Sequence, residues 1–595
     1  MGIFGPHVHF GDVVRHILWH KNDFILHTSG LLTALILALR YLVRSSLGSH
    51  ESPSSVLVAL CSLFIALTGY MCLKAAYGIH RRSQALAHLP GPKYPWLFGD
   101  MAFMARKDPH RAATELAERY GPLVKMRVLC FHLLRSKVVD KMRFAYSFLD
   151  PFLGGTNLLT GHTDEHWKAV RKSVAPAFSA GNMRDAFEHV VDRTMALVDY
   201  LKEGGPKKVH NVDNLLLRES MDVIGRFGFQ MEMNALSSLR SGNAEETQGV
   251  ASLLGATREV EKRIQDFPYR WWQVWNRDVR VGWGLLGRFQ AIVRGLLTHM
   301  KTAQPKPGSF ADLLLKAKDP KTGKRLCDDQ MFPEIAALFF AGIDTTGHTG
   351  TFVLYTISQH PEVEAKIMSE LDSLELSITP ERPSPRPLTY ADLPKLAYLQ
   401  ATIKEVLRMY PPVGVGQLRV SHTHDITLAG LLHLPAGTQI WVPHHAIQNV
   451  SFNWDDADKF KPERWLTPGT EYAVPEKLPL PREWYSEWDR NGACAAPTNG
   501  AASTGAGGTD VDESSNSRRP KRYFPFAEGP RNCVGQSLAK VSLVATAATL
   551  LQHFTFKLAD EMGGPEGVRA SEHYTLVIGL GNGMSMHAIS RPGVM

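Results

Sequence analysis

The chain has 595 residues, of which 44% are hydrophobic, so it can bury a large core. Its net charge of +8 is not accompanied by a nucleic-acid motif, so we expect no nucleic-acid partner. The basic charge is expected to attract anionic lipid headgroups and an acidic partner protein, with scattered solvated lysines as the alternative. The six cysteines, at positions 61, 72, 130, 327, 494 and 533, suggest no disulfide framework and fit a protein facing the cytosol.

The first predicted element is a membrane-spanning helix at about residues 56–73. This stretch carries no charge and is just long enough to cross a bilayer. Three cations follow it closely: Lys74, Arg81 and Arg82. Positive charge on this side predicts that the chain after the helix lies in the cytosol.

An earlier apolar segment, residues 30–43, is shorter and is interrupted by Arg40. It could be a second span, an interfacial helix or part of a targeting segment, and these alternatives stay open. A cleaved secretory signal is disfavoured because the apolar run starts late and no small-residue cleavage site stands out. Residues 1–88 are therefore predicted to be a membrane anchor region.

Helical patterning dominates the chain that follows, as in residues 185–198. Short strands are predicted at 439–442 and 574–578, so the fold class is mainly α with small β-sheets. Trp167 and Arg171 stand one helical turn apart on the same face. An indole N–H and a guanidinium in this arrangement suit one carboxylate ligand.

The apolar run Ile335–Phe340 leads into a segment that carries an acid beside an alcohol, Asp344 and Thr345. Burying such groups in a helix costs free energy unless they are hydrogen-bonded or functional, and proton delivery is the function that suits them. The alternative is a threonine bonded back to the preceding turn with Asp344 solvated. Gly342 is predicted to make room where the helix passes over a flat ligand.

Glu405 and Arg408 lie three positions apart, on one face of a helix that Tyr410-Pro411-Pro412 is predicted to end. Alone, this pair indicates little more than an exposed ion pair. Further on, the Gly- and Ser-rich stretch at about 491–520 has almost no residues suited to packing and is predicted to be a disordered insertion. A tolerated spacer is favoured there over a docking element.

The most informative segment is Phe526-Ala-Glu-Gly-Pro-Arg-Asn-Cys-Val-Gly535. A thiolate on iron needs shielding, N–H donors and close approach of the backbone to a flat macrocycle. The residues suited to these tasks and to pairing with an anionic propionate are Phe526, Gly529, Arg531, Cys533 and Gly535. A buried apolar thiol is the alternative for Cys533.

These motifs, in this order, resemble those of the cytochrome P450 family of haem-thiolate monooxygenases. The match to F-x-x-G-x-R-x-C-x-G fixes the residue at five of ten positions, and the resemblance covers residues 89–595 as one catalytic domain. It implies the cytochrome P450 fold, haem b (iron protoporphyrin IX) as cofactor and Cys533 as iron ligand. Residues 89–92, Leu-Pro-Gly-Pro, resemble the hinge between anchor and catalytic domain.

The resemblance also implies roles for the other motifs. Thr345 would hold dioxygen, and Asp344 would relay protons. The residues implied to bind the haem propionates are Arg531, Trp167, Arg171 and, after the double proline, Arg419. The residues implied to form a buried ion network that holds the haem-bearing core are Glu405, Arg408 and Arg464.

The implied function is oxidation, by O2 and electrons from an NADPH-cytochrome P450 reductase-type donor, of a lipophilic molecule such as a fatty acid, sterol or terpenoid. The expected location is the endoplasmic reticulum membrane, with the catalytic domain facing the cytosol. Predicted pocket liners are residues 154–159, Phe340, Ala341, 413–416 and 580–583. Two alternatives remain: a haem-thiolate isomerase or dehydratase, and a non-catalytic membrane-tethered haem-binding protein. In residues 124–149 the usual strand pair and Asp-Pro step are not recognisable, which keeps the second alternative open.

Overall fold

The computed structural model describes residues 70, 108–121, 140–141, 146, 149–241, 251–252, 255–260, 262–263, 275–420, 426–428, 432–435, 438–471, 521–574 and 576–593. These residues are mainly helical, with small sheets, as the sequence predicts. The helices are α1 (Pro109–Tyr120), α2 (Asp150–Leu153), α3 (Glu165–Val174), α4 (Ala180–Gly204), α5 (Val212–Phe229), α6 (Ser238–Ser241), α7 (Arg277–Thr302), α8 (Phe310–Lys316), α9 (Asp328–Ser358), α10 (Pro361–Ser373), α11 (Ala397–Met409), α12 (His444–Asn449), α13 (Gln536–His553) and α14 (Gly564–Ser571).

The strands are short. They are β1 (Asp140–Lys141), β2 (Val209–Asn211), β3 (Gln417–Val420), β4 (Ile426–Leu428), β5 (Leu432–Leu434), β6 (Gln439–Val442), β7 (Phe554–Leu558), β8 (Glu572–Tyr574), β9 (Ile578–Leu580) and β10 (Ser585–Ser590). Their sheets have the orders β1-β3-β6, β2-β10-β7, β4-β5 and β8-β9.

The chain divides into two compact units. The smaller consists of residues 1–102, 123–142 and 419–440, and its described part contains the β4–β5 hairpin and the antiparallel pairing of Lys141 with Arg419. The larger unit holds the remaining residues, including all of the helices named above. Its antiparallel sheet β2-β10-β7 is joined at Met586, which pairs with His210 on one side and Leu558 on the other.

The 31-residue helix α9 runs through the larger unit and packs chiefly along α5. Its start is specified locally, because the side chain of Gln330 accepts the backbone N–H of Cys327 at 3.0 Å. Asp328 and Asp329 in the first turn are favourable to the helix dipole. The helix ends at Ser358, three residues before Pro361, and a residue that precedes proline is disfavoured in the α conformation.

Helix α9 contributes to two separate buried apolar clusters. Ile335, Phe339 and Ile343 belong to the cluster built with α7 and α8, and Phe352 and Ile357 belong to the cluster built with α4, α5 and α13. The residues between them, 344–351, are polar or glycine and span about 12 Å of helix at 1.5 Å per residue. The acid and alcohol of α9 therefore lie where the two apolar clusters meet.

Most predicted elements are confirmed. Residues 185–198 lie inside α4, residues 439–442 form β6, and α11 ends at Met409, directly before Tyr410 and the double proline. The single strand predicted at 574–578 is wrong, because Tyr574 and Ile578 pair with each other at the turn end of the β8–β9 hairpin. A run of β-prone residues does not reveal that the chain reverses within it.

The predicted span at 56–73, the segment at 30–43 and the insertion at 491–520 lie outside the described residues, Tyr70 excepted. Only a few residues of the doubtful 124–149 segment are described, among them strand β1. Of the helices in the described ranges, none combines the length and the apolar character that crossing a bilayer requires.

Candidate functional site: a cysteine loop beside a polar helix segment

Cys533 ends a tight loop that leads into α13. Its backbone N–H donates to the carbonyl of Phe526 at 2.9 Å and closes the loop. Ala527 and Gly529 have φ angles of 59° and 72°, a left-handed conformation that glycine adopts without cost and alanine does not. Because α13 begins three residues after Cys533, its N-terminal dipole favours an anionic sulfur.

The Cys533 side chain is accessible to solvent, although protein surrounds its sulfur on most sides. Burial is the largest influence on the thiol and raises its pKa, whereas the backbone N–H of Gly535 and the guanidinium of Arg171 lower the pKa. A Cβ on Gly535 would lie 3.9 Å from Cys533 Sγ and 3.9 Å from Phe178, so the protein leaves room beside the sulfur. This cradle, with an N–H donor and a cation, suits a thiolate that faces a flat group.

Two arginines flank the cysteine loop. Arg171, on α3, donates to Asn532 Oδ1 at 2.6 Å, and burial lowers its pKa while Cys533 raises it. Arg531 donates to the carbonyl of Gly161 at 2.7 Å. The structure thus brings both predicted propionate partners to the cysteine, where they supply positive charge.

Trp167 lies against the Arg531 guanidinium, but its indole N–H is already engaged in a hydrogen bond. Nε1 donates to the carbonyl of Leu158 at 3.0 Å, and the Arg531 guanidinium lies 4.1 Å from the centroid of the Trp167 ring. The backbone of Trp167 is held at the start of α3, where the capping residue Asp164 accepts the backbone N–H of Trp167 at 2.8 Å. Direct donation from Trp167 to a propionate stays a prediction, and it would require the bond to Leu158 to break.

Arg419 lies on β3 in the smaller unit, paired with Lys141 in the strand ladder. Its role as a propionate ligand stays a prediction.

A buried carboxyl group on α9, Glu334, hydrogen-bonds to the loop between α2 and α3. Its Oε2 accepts the backbone N–H of Leu158 at 2.9 Å, and the side chain is almost fully buried. Burial raises the pKa of Glu334 to about 8, although the Leu158 bond and the nearby Arg531 charge lower it. Glu334 is therefore mostly protonated at neutral pH and positions the loop that also receives Trp167.

We expect Glu334→Gln to change how stability depends on pH. A carboxyl whose pKa is raised from 4.5 to about 8 contributes stability that is complete below pH 4.5 and is lost as the pH rises to about 8, with a slope of at most about 1.4 kcal/mol per pH unit. Melting temperatures of wild type and Glu334→Gln from pH 4.5 to 9 should therefore converge or cross as the pH rises. Glu165→Gln, at a side chain 77% exposed, is the control and should run parallel to wild type. Parallel curves for Glu334→Gln would contradict a raised pKa.

The acid and alcohol predicted on α9 lie in its polar segment. Thr345 Oγ1 donates to the carbonyl of Ala341 at 2.8 Å, so the threonine does bond back to the preceding turn. Asp344 is not solvated, however, since only 5% of it is exposed. Its Oδ1 lies 3.5 Å from His348 Nε2, and its Oδ2 is buried without a partner among the described residues. A buried carboxylate oxygen without a donor is costly, which marks a site that a proton or ligand completes.

The prediction for Gly342 needs correction. A Cβ there would lie 2.7 Å from the Ile224 side chain of α5, so the space that this glycine leaves is filled by helix–helix packing. The sequence could not distinguish a glycine that admits a neighbouring helix from one that admits a ligand. Helix α13, which follows the cysteine loop, nevertheless packs against α9, and its Leu538 belongs to the same apolar cluster as Phe340 and Ile343.

Glu405, Arg408 and Arg464 meet in one buried network. Arg408 donates to both Glu405 carboxylate oxygens at 3.0 Å, and Arg464 Nε donates to Glu405 Oε1 at 3.0 Å. Trp465 Nε1 and the backbone N–H of Lys461 also donate to Glu405, at 2.8 and 3.1 Å. Glu405 and Arg408 are completely buried, so this pair is not the ordinary surface ion pair that the spacing alone would indicate.

This network supports the chain segment that enters the cysteine loop. Gln448 donates to the carbonyl of Leu407 on α11 at 3.0 Å and accepts the backbone N–H of Phe524 at 3.0 Å. Arg522 and Arg408 both lie over the Trp454 ring, with guanidinium-to-centroid distances of 4.2 and 5.4 Å. The position of the cysteine loop therefore depends on the network.

Several predicted pocket liners are packed against protein. A Cβ on Gly414 would lie 2.5 Å from the Ile578 side chain, and one on Gly416 would lie 1.9 Å from the carbonyl oxygen of Val442. Gly583 has a positive φ and faces the Asn211 side chain. These glycines permit close packing of turns, and their role in a substrate pocket stays a prediction.

Two polar residues of the site escaped the sequence prediction. Glu334 stands directly before the apolar run that begins at Ile335, and a lone carboxyl group at that position was a detectable signal. His348 lies four residues after Asp344, which places both on one helix face. Their partners Leu158 and Asp213 are far away in the sequence, so only the structure shows the pairings.

The described residues fit the haem-thiolate site that the sequence predicts. The accessible sulfur of Cys533 has an N–H donor, an arginine beside it and a glycine cradle. Arg171 and Arg531 supply the cations that carboxylate groups of a cofactor require.

Comparison with known proteins agrees with this fit. The family model described as Cytochrome P450 matches residues 89–478 and 497–570. Cytochrome P450 4V2 of Rattus norvegicus is 26% identical over 442 residues, which cover 71% of this chain and 72% of the relative. Cytochrome P450 monooxygenase sphH of Aspergillus fumigatus is 24% identical over 544 residues, which cover 84% and 89%. Cytochrome P450 3A13 of Mus musculus is 24% identical over 410 residues, which cover 67% and 69%.

Proposed function

The chain belongs to the cytochrome P450 family of haem b monooxygenases, and from that premise we propose that it oxidises a lipophilic small molecule with O2 and electrons from an NADPH-dependent reductase. The observation that carries the proposal is the cysteine loop, in which an accessible Cys533 thiol lies beside an N–H donor and a guanidinium. When bound, the haem supplies the redox chemistry that activates dioxygen.

The protein residues have distinct proposed tasks. Cys533 ligates the iron, and Arg171 and Arg531 hold the propionates, with Trp167 and Arg419 as further candidates. Phe526, Gly529 and Gly535 shape the loop around the sulfur. Asp344 moves protons and Thr345 positions dioxygen, tasks that are supported by the buried Oδ2 of Asp344, which lacks a hydrogen-bond partner in the described part of the chain. Glu405, Arg408 and Arg464 maintain the fold around the loop.

Substrate class and location extend the proposal. The small residues and leucines of segment 154–159 and the apolar residues around Phe340 support a fatty acid, sterol or terpenoid substrate. The uncharged run at 56–73 and the cations after it support attachment to the endoplasmic reticulum membrane with the catalytic domain in the cytosol. NADPH-dependent product formation in microsomes that contain a reductase tests the proposal, since an isomerase or dehydratase needs no NADPH and a non-catalytic protein forms no product.

We expect Thr345→Ala to uncouple electron use from product formation. The Thr345 hydroxyl donates to Ala341, so its oxygen can still accept a bond beside the buried Asp344. Without it, NADPH oxidation should continue, peroxide should increase per NADPH, and haem content should stay normal. The matched control is Thr356→Ala, because Thr356 makes the same back-bond on α9, to Phe352 at 2.7 Å, within an apolar cluster. Unchanged coupling in Thr345→Ala would remove Thr345 from the proposed proton-delivery step.

A further inference from the structure

A row of largely buried ionisable groups extends from Asp344 along α9 and across to α5. His348 Nε2 lies 3.5 Å from Asp344 Oδ1, and His348 Nδ1 lies 2.7 Å from Asp213 Oδ1 on α5. Thr351 also donates to Asp213 Oδ1, at 3.0 Å. The His348 side chain is 14% exposed and the two carboxylates are 7% exposed. An imidazole held between two carboxylates is a recognisable arrangement for a proton carrier.

The surroundings favour the doubly protonated imidazolium. Burial alone would lower the pKa of His348, but Asp213 and then Asp344 raise it well above its ordinary value. On strand β8, His573 faces the same group, and burial, the His348 charge and Arg258 lower the pKa of His573. The β9 backbone lies against another side of the ring, where a Cβ on Gly579 would lie 3.1 Å from His348.

Asp344 needs a source of protons if it is to deliver one. Its Oδ2 has no partner among the described residues, and the contact of its Oδ1 with His348 Nε2 is the ion pair that the structure gives it. Asp213, by contrast, accepts hydrogen bonds from both His348 and Thr351 on Oδ1, and its Oδ2 is not among the buried atoms that lack a partner in the described part of the chain. If Asp213, His348 and Asp344 served only to join α5 to α9, the pair Asp213–His348 would be enough, and Asp344 with its unpartnered oxygen among the described residues would not be needed.

We propose that His348 supplies the proton that Asp344 delivers, and that Asp213 keeps His348 charged for this task. The inference rests on the proposed monooxygenase function and deepens it. In the step, the Nε2–H bond of His348 breaks and an O–H bond forms on Asp344, which leaves a neutral imidazole whose Nδ1–H still donates to Asp213. His348 regains its proton from solvent, to which part of its side chain is exposed. No electrons move in this exchange.

The test compares His348→Gln and Asp213→Asn with wild type in the full, haem-loaded protein. His348→Gln should lower product per NADPH and enlarge the solvent deuterium isotope effect on product formation, because a slower proton source then limits the reaction. Asp213→Asn keeps an oxygen for Nδ1–H but removes the charge. In this variant, coupling should therefore be lost at a pH about one to three units lower than in wild type, which is the shift that an opposite charge at this distance causes.

A second readout does not depend on turnover. Because the pKa of folded His348 is raised, its contribution to stability is complete below the ordinary histidine pKa and is lost as the pH rises through the folded value. The melting-temperature difference between wild type and His348→Gln should therefore be largest in mild acid and should shrink at alkaline pH. His360→Gln is the matched control, since the hydrogen bond that His360 makes among the described residues is to the backbone carbonyl of Thr356, near the end of α9. This substitution should change neither coupling nor the isotope effect.

Normal coupling and a normal isotope effect in His348→Gln, beside wild-type protein with thiolate-ligated haem, would overturn the proton supply and leave His348 a structural link. A wild-type protein without such haem would overturn the proposed function itself, together with the relay that rests on it. Reduced coupling in His348→Gln and Asp213→Asn, but not in His360→Gln, is the result that we expect.

Discussion

Cys533→Ser is expected to abolish the red-shifted Soret band of the reduced, carbon monoxide-bound protein and, with it, NADPH-dependent product formation. Serine preserves the backbone bond from residue 533 to Phe526, and the loop should keep its shape. The hydroxyl, however, is not ionised near neutral pH as a thiolate can be, and it cannot donate the electron density that a sulfur ligand gives to iron.

The control for this experiment is Cys327→Ser. Cys327 is the other free cysteine among the described residues and caps the start of α9, far along the chain from the cysteine loop. Its variant should keep the thiolate spectrum and turnover. A thiolate spectrum that survived in Cys533→Ser and disappeared in Cys327→Ser would contradict the assignment of the ligand.

Arg408→Met should cause the largest loss of stability. The substitution approximates the volume of the side chain but leaves Glu405 completely buried without its bidentate partner. Breaking a buried ion pair in this way costs about 3–5 kcal/mol, a large part of the stability of a typical protein. Because the network also positions the chain that enters the cysteine loop, haem content should fall together with the melting temperature.

Lys366→Met is the matched control for the network. Lys366 pairs with Glu463 at 2.6 Å, but both side chains are about half exposed, so the pair is worth at most about 1 kcal/mol. Both variants should be compared by melting temperature and by haem bound per protein. If Arg408→Met had the melting temperature of wild type and kept its haem, the inference that the network supports the fold would be wrong.

The sequence was most informative where the chemistry is local. The loop that ends at Cys533 could be predicted because its glycines, arginine and cysteine stand within ten positions, and their backbone bonds join near neighbours. Helix α9 could be predicted from its long apolar run. The end of α11 followed from the double proline after Tyr410.

The predictions failed or were incomplete where distant segments decide the outcome. Gly342 leaves room for Ile224 of α5, more than a hundred positions earlier. Asp213 pairs with His348 across 135 positions, and Glu334 bonds Leu158 across 176. Periodicity and spacing describe which face a residue occupies, but not which distant element lies against that face.

Ligation of a haem by Cys533 is tested most directly by the carbon monoxide difference spectrum of the dithionite-reduced wild-type protein, expressed in microsomes. We expect a strongly red-shifted Soret band, the mark of a thiolate ligand. A band at the shorter wavelength of neutral ligation, or no haem signal from well-expressed protein, would contradict the assignment of Cys533 as the ligand.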